Sequence, residues 1–187
     1  MISPFLQKLM FVRQFNIDKG RIDLLGEEYI LFDALALFEI QKIDQTKLYE
    51  VMKNSSFRNI SESVKYAKVY SNVKDVFFDN IAKLGDKIGK TDEGILMTLK
   101  HLFDVYGLGE LEIADIDNSK KRAVLRLRKS TIGEEYVKRY KKSDTVVDII
   151  AAGVLAGIFA YVFGKKVDCV EKKCIAKGDS CCEFEVA

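Results

Sequence analysis

Val146-Val-Asp148-Ile-Ile-Ala-Ala-Gly153-Val-Leu-Ala-Gly157-Ile-Phe159-Ala-Tyr161-Val-Phe-Gly164 is the stretch on which the reading of this chain turns. It holds 19 residues and one charge, long enough to span a bilayer. Three features speak against a span: Asp148 lies within it, no second stretch like it occurs, and β-prone sequence follows Gly164 at once. The expected element is therefore a helix buried in a protein core, apolar on every face. Gly153 and Gly157 lie four residues apart, and Ala152, Ala156, Ala160 and Gly164 make a second row of small residues. Such rows let a neighbouring object come close, either a packed helix or a ligand.

Downstream, Val167 to Glu171 and Cys182 to Val186 flank a turn that contains Gly178, which reads as strand, turn, strand. All four cysteines, Cys169, Cys174, Cys181 and Cys182, fall in this tail. Cysteines crowded in this way point to metal ligation or redox chemistry, or else to small apolar side chains packed in a hairpin. The opening residues show no charged segment followed by an apolar one. That predicts a cytosolic address with reduced thiols.

Upstream, residues 11–25 carry β-prone residues around Asp18-Lys19-Gly20 and predict a hairpin. Residues 29–43 are apolar almost all round and predict a buried helix. Asp44 is placed to cap the next helix, and the serines and asparagines at 54–63 predict a loop. Two amphipathic helices are expected after Asn72 and after Thr91, the second carrying Leu99, Phe103 and Tyr106 on its apolar face. A second hairpin is expected over 111–127, turning at Asp117-Asn118-Ser119-Lys120, and a short polar helix over 134–142.

The composition narrows the function. Thirty basic and 28 acidic residues leave a net charge of +2, with no global field that would favour nucleic acid or membrane. Residues 120–142 hold ten Lys and Arg, but without aromatic interleaving or a DNA-reading motif they predict a solvated face. No nucleophile elbow, phosphate loop or dinucleotide fingerprint occurs, so no catalytic residue is assigned. His101, the sole histidine, lies one step off the apolar face of its helix.

The Gly-rich helix, Gly164 seven residues before Glu171, and then Glu171-x-x-Cys174-x3-Gly178-x3-Cys182-x-Phe184 together resemble the 4-vinyl reductase domain family. The resemblance is strong across 148–186, weak across 90–147 and carries no motif in 1–89. The family includes archaeal proteins described as predicted hydrocarbon-binding, and the sensory modules of activators that respond to aromatics. A distant kinship runs to subunits of the TRAPP tethering complex. The resemblance implies a zinc held by a helix Cys, a Glu and two hairpin Cys. Carried over position by position, these become Asp148, Glu171, Cys174 and Cys182. Three match, and Asp148 departs from the cysteine of the family. A carboxylate is an acceptable zinc ligand, and Cys169 and Cys181 stand nearby as substitutes. Without a metal, Asp148 would act as an anion at a helix N-terminus.

The resulting expectation is an α+β fold, helices packed on an antiparallel sheet, with the Gly-rich helix central and the Cys-bearing hairpin at one end. Residues 89–187 would form the ligand-binding domain, and 1–88 an N-terminal hairpin and helices in the same compact unit. The expected function is noncatalytic binding, as sensor or carrier, of a small apolar or aromatic molecule. Gly153, Gly157, Phe159, Tyr161, Phe103 and His101 are its candidate contacts. A homodimer is implied by the resemblance, and neither nucleic acid nor membrane is expected as a partner. The alternatives are a tetrapyrrole vinyl reductase or its accessory, and an assembly module of the TRAPP kind.

Overall fold

The computed structural model describes residues 15–18, 21–24, 27–30, 33–69, 100, 103, 104 and 106–187. In chain order these form strands β1 (Phe15–Asp18), β2 (Arg21–Leu24) and β3 (Glu27–Tyr29), and helices α1 (Ala34–Gln41) and α2 (Gln45–Val69). Strands β4 (Gly109–Asp117) and β5 (Arg122–Ser130) follow, then helices α3 (Thr131–Tyr140) and α4 (Ile149–Phe163). Strand β6 (Cys169–Lys173), a 3-10 turn (Ile175–Lys177) and strand β7 (Cys182–Val186) complete the chain.

Helix α4 is the apolar stretch, trimmed by its own caps. The Asp148 carboxylate accepts from the Ala151 N–H at 3.0 Å and so satisfies one of the free donors at the helix start. Gly164 ends the helix at φ 60°, a left-handed conformation that a side chain resists. Between them every residue of α4 after Ile149 is buried except Tyr161, which is half-buried. At 15 residues α4 is shorter than the roughly 20 that a bilayer requires. Among the described residues no helix is long and apolar enough to cross a membrane.

Two layers bury α4. On one side lies α2; on the other is a four-stranded antiparallel sheet in the order β4-β5-β7-β6. Strand β5 alternates, with Ala123, Leu125 and Leu127 turned into the core. The neighbouring strand matches it, because Leu125 pairs with Phe184 and Leu127 with Cys182. The other face is wet and carries Arg126 with Glu183 and Arg128 with Glu112, which occupies much of the basic run in ion pairs. The β4–β5 turn is held by Asp117, whose carboxylate accepts from the Ser119 and Lys120 N–H groups. The expected α+β architecture, with a central Gly-rich helix and a Cys-bearing hairpin, is therefore the observed one.

Three expectations need correction. Residues 54–63 are not a loop: α2 runs unbroken from Gln45 to Val69, with Ser56 buried inside it. Ser and Asn favour caps and turns when isolated, but here packing against α4 outweighs their weak helix propensity. The apolar segment 29–43 is not a helix buried all round. Only Ala34–Gln41 is helical, and Ile30, Ile40 and Ile43 are exposed, at 78, 42 and 83%. Glu27–Tyr29 instead adds a third strand to the first hairpin, paired antiparallel with β2. Asp44 does cap α2, accepting from the Lys47 N–H at 2.9 Å. The two amphipathic helices expected after Asn72 and Thr91 lie largely outside the described residues, and His101 does so entirely.

Candidate functional site

Strand β6 alternates so that Cys169 and Glu171 point inward while Val170 points out. A register shift after Glu171 then turns the chain, and Cys174 enters the 3-10 turn with its N–H held by the Asp179 carboxylate at 2.9 Å. Gly178, at φ 98°, lets the turn close and returns the chain to Cys182. The result brings a carboxylate oxygen of Glu171 and the Sγ atoms of Cys174 and Cys182 within 4.8 Å of one another, all three side chains buried. The Cys182 thiol donates to Cys174 Sγ at 3.8 Å and accepts from the Ile175 N–H at 3.4 Å.

This group is electrostatically incomplete. Glu171 Oε2 accepts from the Asp148 N–H at 2.8 Å, but Oε1 is buried without a hydrogen-bond partner. Burial pushes the Glu171 carboxyl up to about 8, and the charge of Cys174 adds to the rise. The hydrogen bond from Cys182 lowers the Cys174 thiol, and the same bond raises Cys182. Burial likewise raises Cys169. A buried set of two sulfurs and one orphaned carboxylate oxygen, all acids, lacks a cation. Such a set could hold a borderline-soft divalent metal.

Asp148 stands outside that group. Its Oδ1 caps α4, and its Oδ2 accepts from the Ser130 hydroxyl at 2.5 Å. Ser130 is itself the cap of α3, accepting from the Gly133 N–H at 2.9 Å. One serine therefore links the starts of two helices. Burial, with the charge of Glu171 behind it, pushes the Asp148 carboxyl up to about 7. Of the four carried-over positions, the structure brings three together and gives the fourth a capping role.

The glycines of α4 face a helix rather than a cavity. A Cβ on Gly157 would stand 2.2 Å from the Lys53 carbonyl oxygen and 2.9 Å from the Phe57 nitrogen. At Gly153 it would stand 2.8 Å from both Met52 Cβ and the Tyr49 carbonyl oxygen. The close approach is α4 on α2. Phe159 and Phe103 are wholly buried, Phe159 against Phe163 at 5.2 Å between ring centroids. Tyr161 is the one described aromatic candidate that borders open space.

Two grooves flank this helix pair. The larger, about 650 Å³, is bordered by Phe57 and Asn54 of α2, Ala160, Tyr161 and Gly164 at the end of α4, and lysines that include Lys165. The Phe57 and Tyr161 rings meet edge to face at 6.1 Å. The smaller, about 410 Å³, runs along Tyr49, Val146, Ile149, Ala152 and Val170 and reaches Asp148 and Glu171. Between the grooves, the Tyr49 hydroxyl accepts from the Cys169 N–H and donates to Asp168, which also pairs with Lys53. Tyr49, Lys53 and Phe57 escaped the sequence reading. Their spacing of four residues along one helix face was the available signal, and the supposed loop at 54–63 hid it.

This arrangement defines an α+β protein with a buried Gly-rich helix and a thiol–carboxylate hairpin. Residues 133–187 match the family model of the 4-vinyl reductase domain, so the resemblance read from the C-terminal motif holds over that segment. An uncharacterized protein of Methanocaldococcus jannaschii, MJ1460, is 27% identical over 150 residues, covering 74% of this chain and 89% of that one. The crystal structure of the phenol-responsive sensory domain of the transcription activator PoxR, with phenol, superposes with a TM-score of 0.64 at 17% identity. It covers 99% of this chain and 90% of that domain, and the two share a fold. A vinyl-4-reductase family protein from Methanocaldococcus jannaschii aligns at a TM-score of 0.45 and 19% identity, covering 100% of this chain and 96% of that one.

Proposed function

We propose that this protein binds a small apolar or aromatic molecule without transforming it, as a sensor or carrier, and holds one zinc at its C-terminal hairpin. The observation that carries the binding reading is the larger groove, whose 650 Å³ falls within the range of small-molecule sites. Its floor is the Phe57–Tyr161 ring pair and Ala160, and its rim is charged. That combination suits an apolar or aromatic body. The fold shared with a phenol-responsive sensory domain supports the same reading. The groove takes one wall from α2 and the other from α4, so residues 1–88 and 89–187 act as one unit.

Zinc would be held by Glu171, Cys174 and Cys182, and when bound it would supply the positive charge that the buried acids lack. The orphaned Glu171 Oε1 supports this. The residues themselves tie β6 to β7 and, through the Asp148 N–H on Glu171, tie both strands to the start of α4. The chain acts as a homodimer in a reducing, cytosolic setting, consistent with four unpaired cysteines.

A thermal-shift scan of phenols, alkylbenzenes and medium-chain hydrocarbons tests the binding reading. The wild type should be stabilised by at least one class, and an Ala160→Leu protein, with the groove filled, should fold but not respond. An unresponsive wild type, or a filled variant that responds equally, would rule the groove out as the binding site.

A further inference from the structure

The departure at Asp148 changes what the hairpin can do with a metal, an inference that rests on the zinc reading above. Both Asp148 oxygens are committed, one to the Ala151 N–H and one to the Ser130 hydroxyl, and the residue is 1% exposed. Recruiting that carboxylate would uncap α4 and leave Ser130 without its acceptor. The three residues that do converge are Glu171, Cys174 and Cys182. Three protein ligands are the hallmark of a zinc site that keeps a fourth position for something else, whereas closed structural sites use four. The smaller groove reaches Glu171, which gives that fourth donor a route from outside.

We propose that Asp148 is a helix cap and not a metal ligand, and that the metal held by Glu171, Cys174 and Cys182 keeps an exchangeable position for an external donor entering by the smaller groove. Charge selects the donor. Two thiolates and a carboxylate against a divalent cation already leave one net negative charge in a buried site. A further anion would deepen it at low dielectric, where like charges repel strongly. The walls, Val146, Ile149, Ala152 and Val170 among them, are apolar. The ligand class is therefore a neutral, single nitrogen donor on a small apolar or aromatic body, of the imidazole or pyridine kind, with water in its place otherwise.

Cobalt(II) loaded into the full-length protein provides the test, because its visible spectrum reports both thiolate ligation and the fourth donor. Cobalt should bind with the charge-transfer bands of two thiolates. Imidazole or pyridine should shift the ligand-field bands saturably, and azide should not. Asp148→Asn keeps a capping oxygen but removes the anionic donor. It should take up cobalt without loss of affinity and with an unchanged spectrum. Loss of cobalt binding or an altered spectrum in Asp148→Asn would overturn the proposal by making Asp148 a ligand. A wild-type spectrum unmoved by imidazole and pyridine would overturn it by closing the fourth position. If neither cobalt nor zinc binds the wild type, the zinc reading itself fails, an outcome distinct from the other two.

Discussion

Gly157→Ala is the substitution whose outcome separates packing from ligand binding at the Gly-rich helix. Inside a helix, Ala is favoured over Gly by about 1 kcal/mol, so on propensity alone the change stabilises. Steric conflict with α2 opposes that gain and exceeds it. The new Cβ would lie 2.2 Å from the Lys53 carbonyl oxygen, 2.9 Å from the Phe57 nitrogen and 3.0 Å from the Lys53 carbonyl carbon. All three are backbone atoms of α2, which cannot rotate aside as a side-chain tip can. Relief requires α2 and α4 to part, and parting loosens the contact at Gly153 as well. Overpacking of a core costs about 1–3 kcal/mol, more where nothing yields. The net expectation is destabilisation by about 2 kcal/mol after the propensity gain is set against it. For a chain of this size that lowers the melting temperature by roughly 4–8 °C. Gly153→Ala, facing Met52 Cβ and a carbonyl oxygen each at 2.8 Å, should cost less. Circular-dichroism melts of both variants beside the wild type measure this. A Gly157→Ala protein as stable as the wild type, or more stable, would mean that the glycine faces open space and that the helix contact is misread.

Other consequences follow from the same contacts. Ser130→Ala removes the cap of α3, a loss of about 1 kcal/mol, and strips Asp148 Oδ2 of its donor, a further cost of about 1–3 kcal/mol. Urea denaturation should show both; a loss below the capping value alone would place Asp148 in another hydrogen bond. Tyr49→Phe leaves the buried Cys169 N–H without its acceptor and should cost about 1–2 kcal/mol by the same assay, with no effect expected only if water replaces the hydroxyl. Asp117 is held down to about 2 by the Ser119 hydroxyl and the Lys120 N–H. Its contribution is thus present above the ordinary 3.8 and lost as pH falls through about 2. Asp117→Asn should flatten stability across that window, and parallel pH curves for the two proteins would contradict it.

What could be read from the sequence was whatever local chemistry decides. Helix α4 announced itself by being apolar on every face, with an acid at its start and Gly164 at its end, and both caps are where those residues stand. The hairpins at Asp18-Lys19-Gly20 and at Asp117 followed from turn chemistry. Helix α2 did not follow, because its Ser and Asn residues are loop-like by propensity and helical only through burial against Gly153 and Gly157. The site divides along the same line. Glu171, Cys174 and Cys182 share one hairpin, so spacing sufficed to group them. The grooves join α2 to the ends of α4, a juxtaposition that spacing along the chain does not contain. Asp148 illustrates the limit of position-by-position transfer. A carboxylate placed where relatives carry a thiol can cap the helix below it, and a thiol is a poor cap.

Native mass spectrometry of the full-length protein, purified without chelator, bears most directly on whether this is a metal-bearing binding module. One zinc per chain is expected, lost in Cys174→Ala, together with a small apolar or aromatic molecule carried or taken up by the wild type. A bare chain that acquires neither zinc nor any such compound on incubation would contradict both halves of that claim.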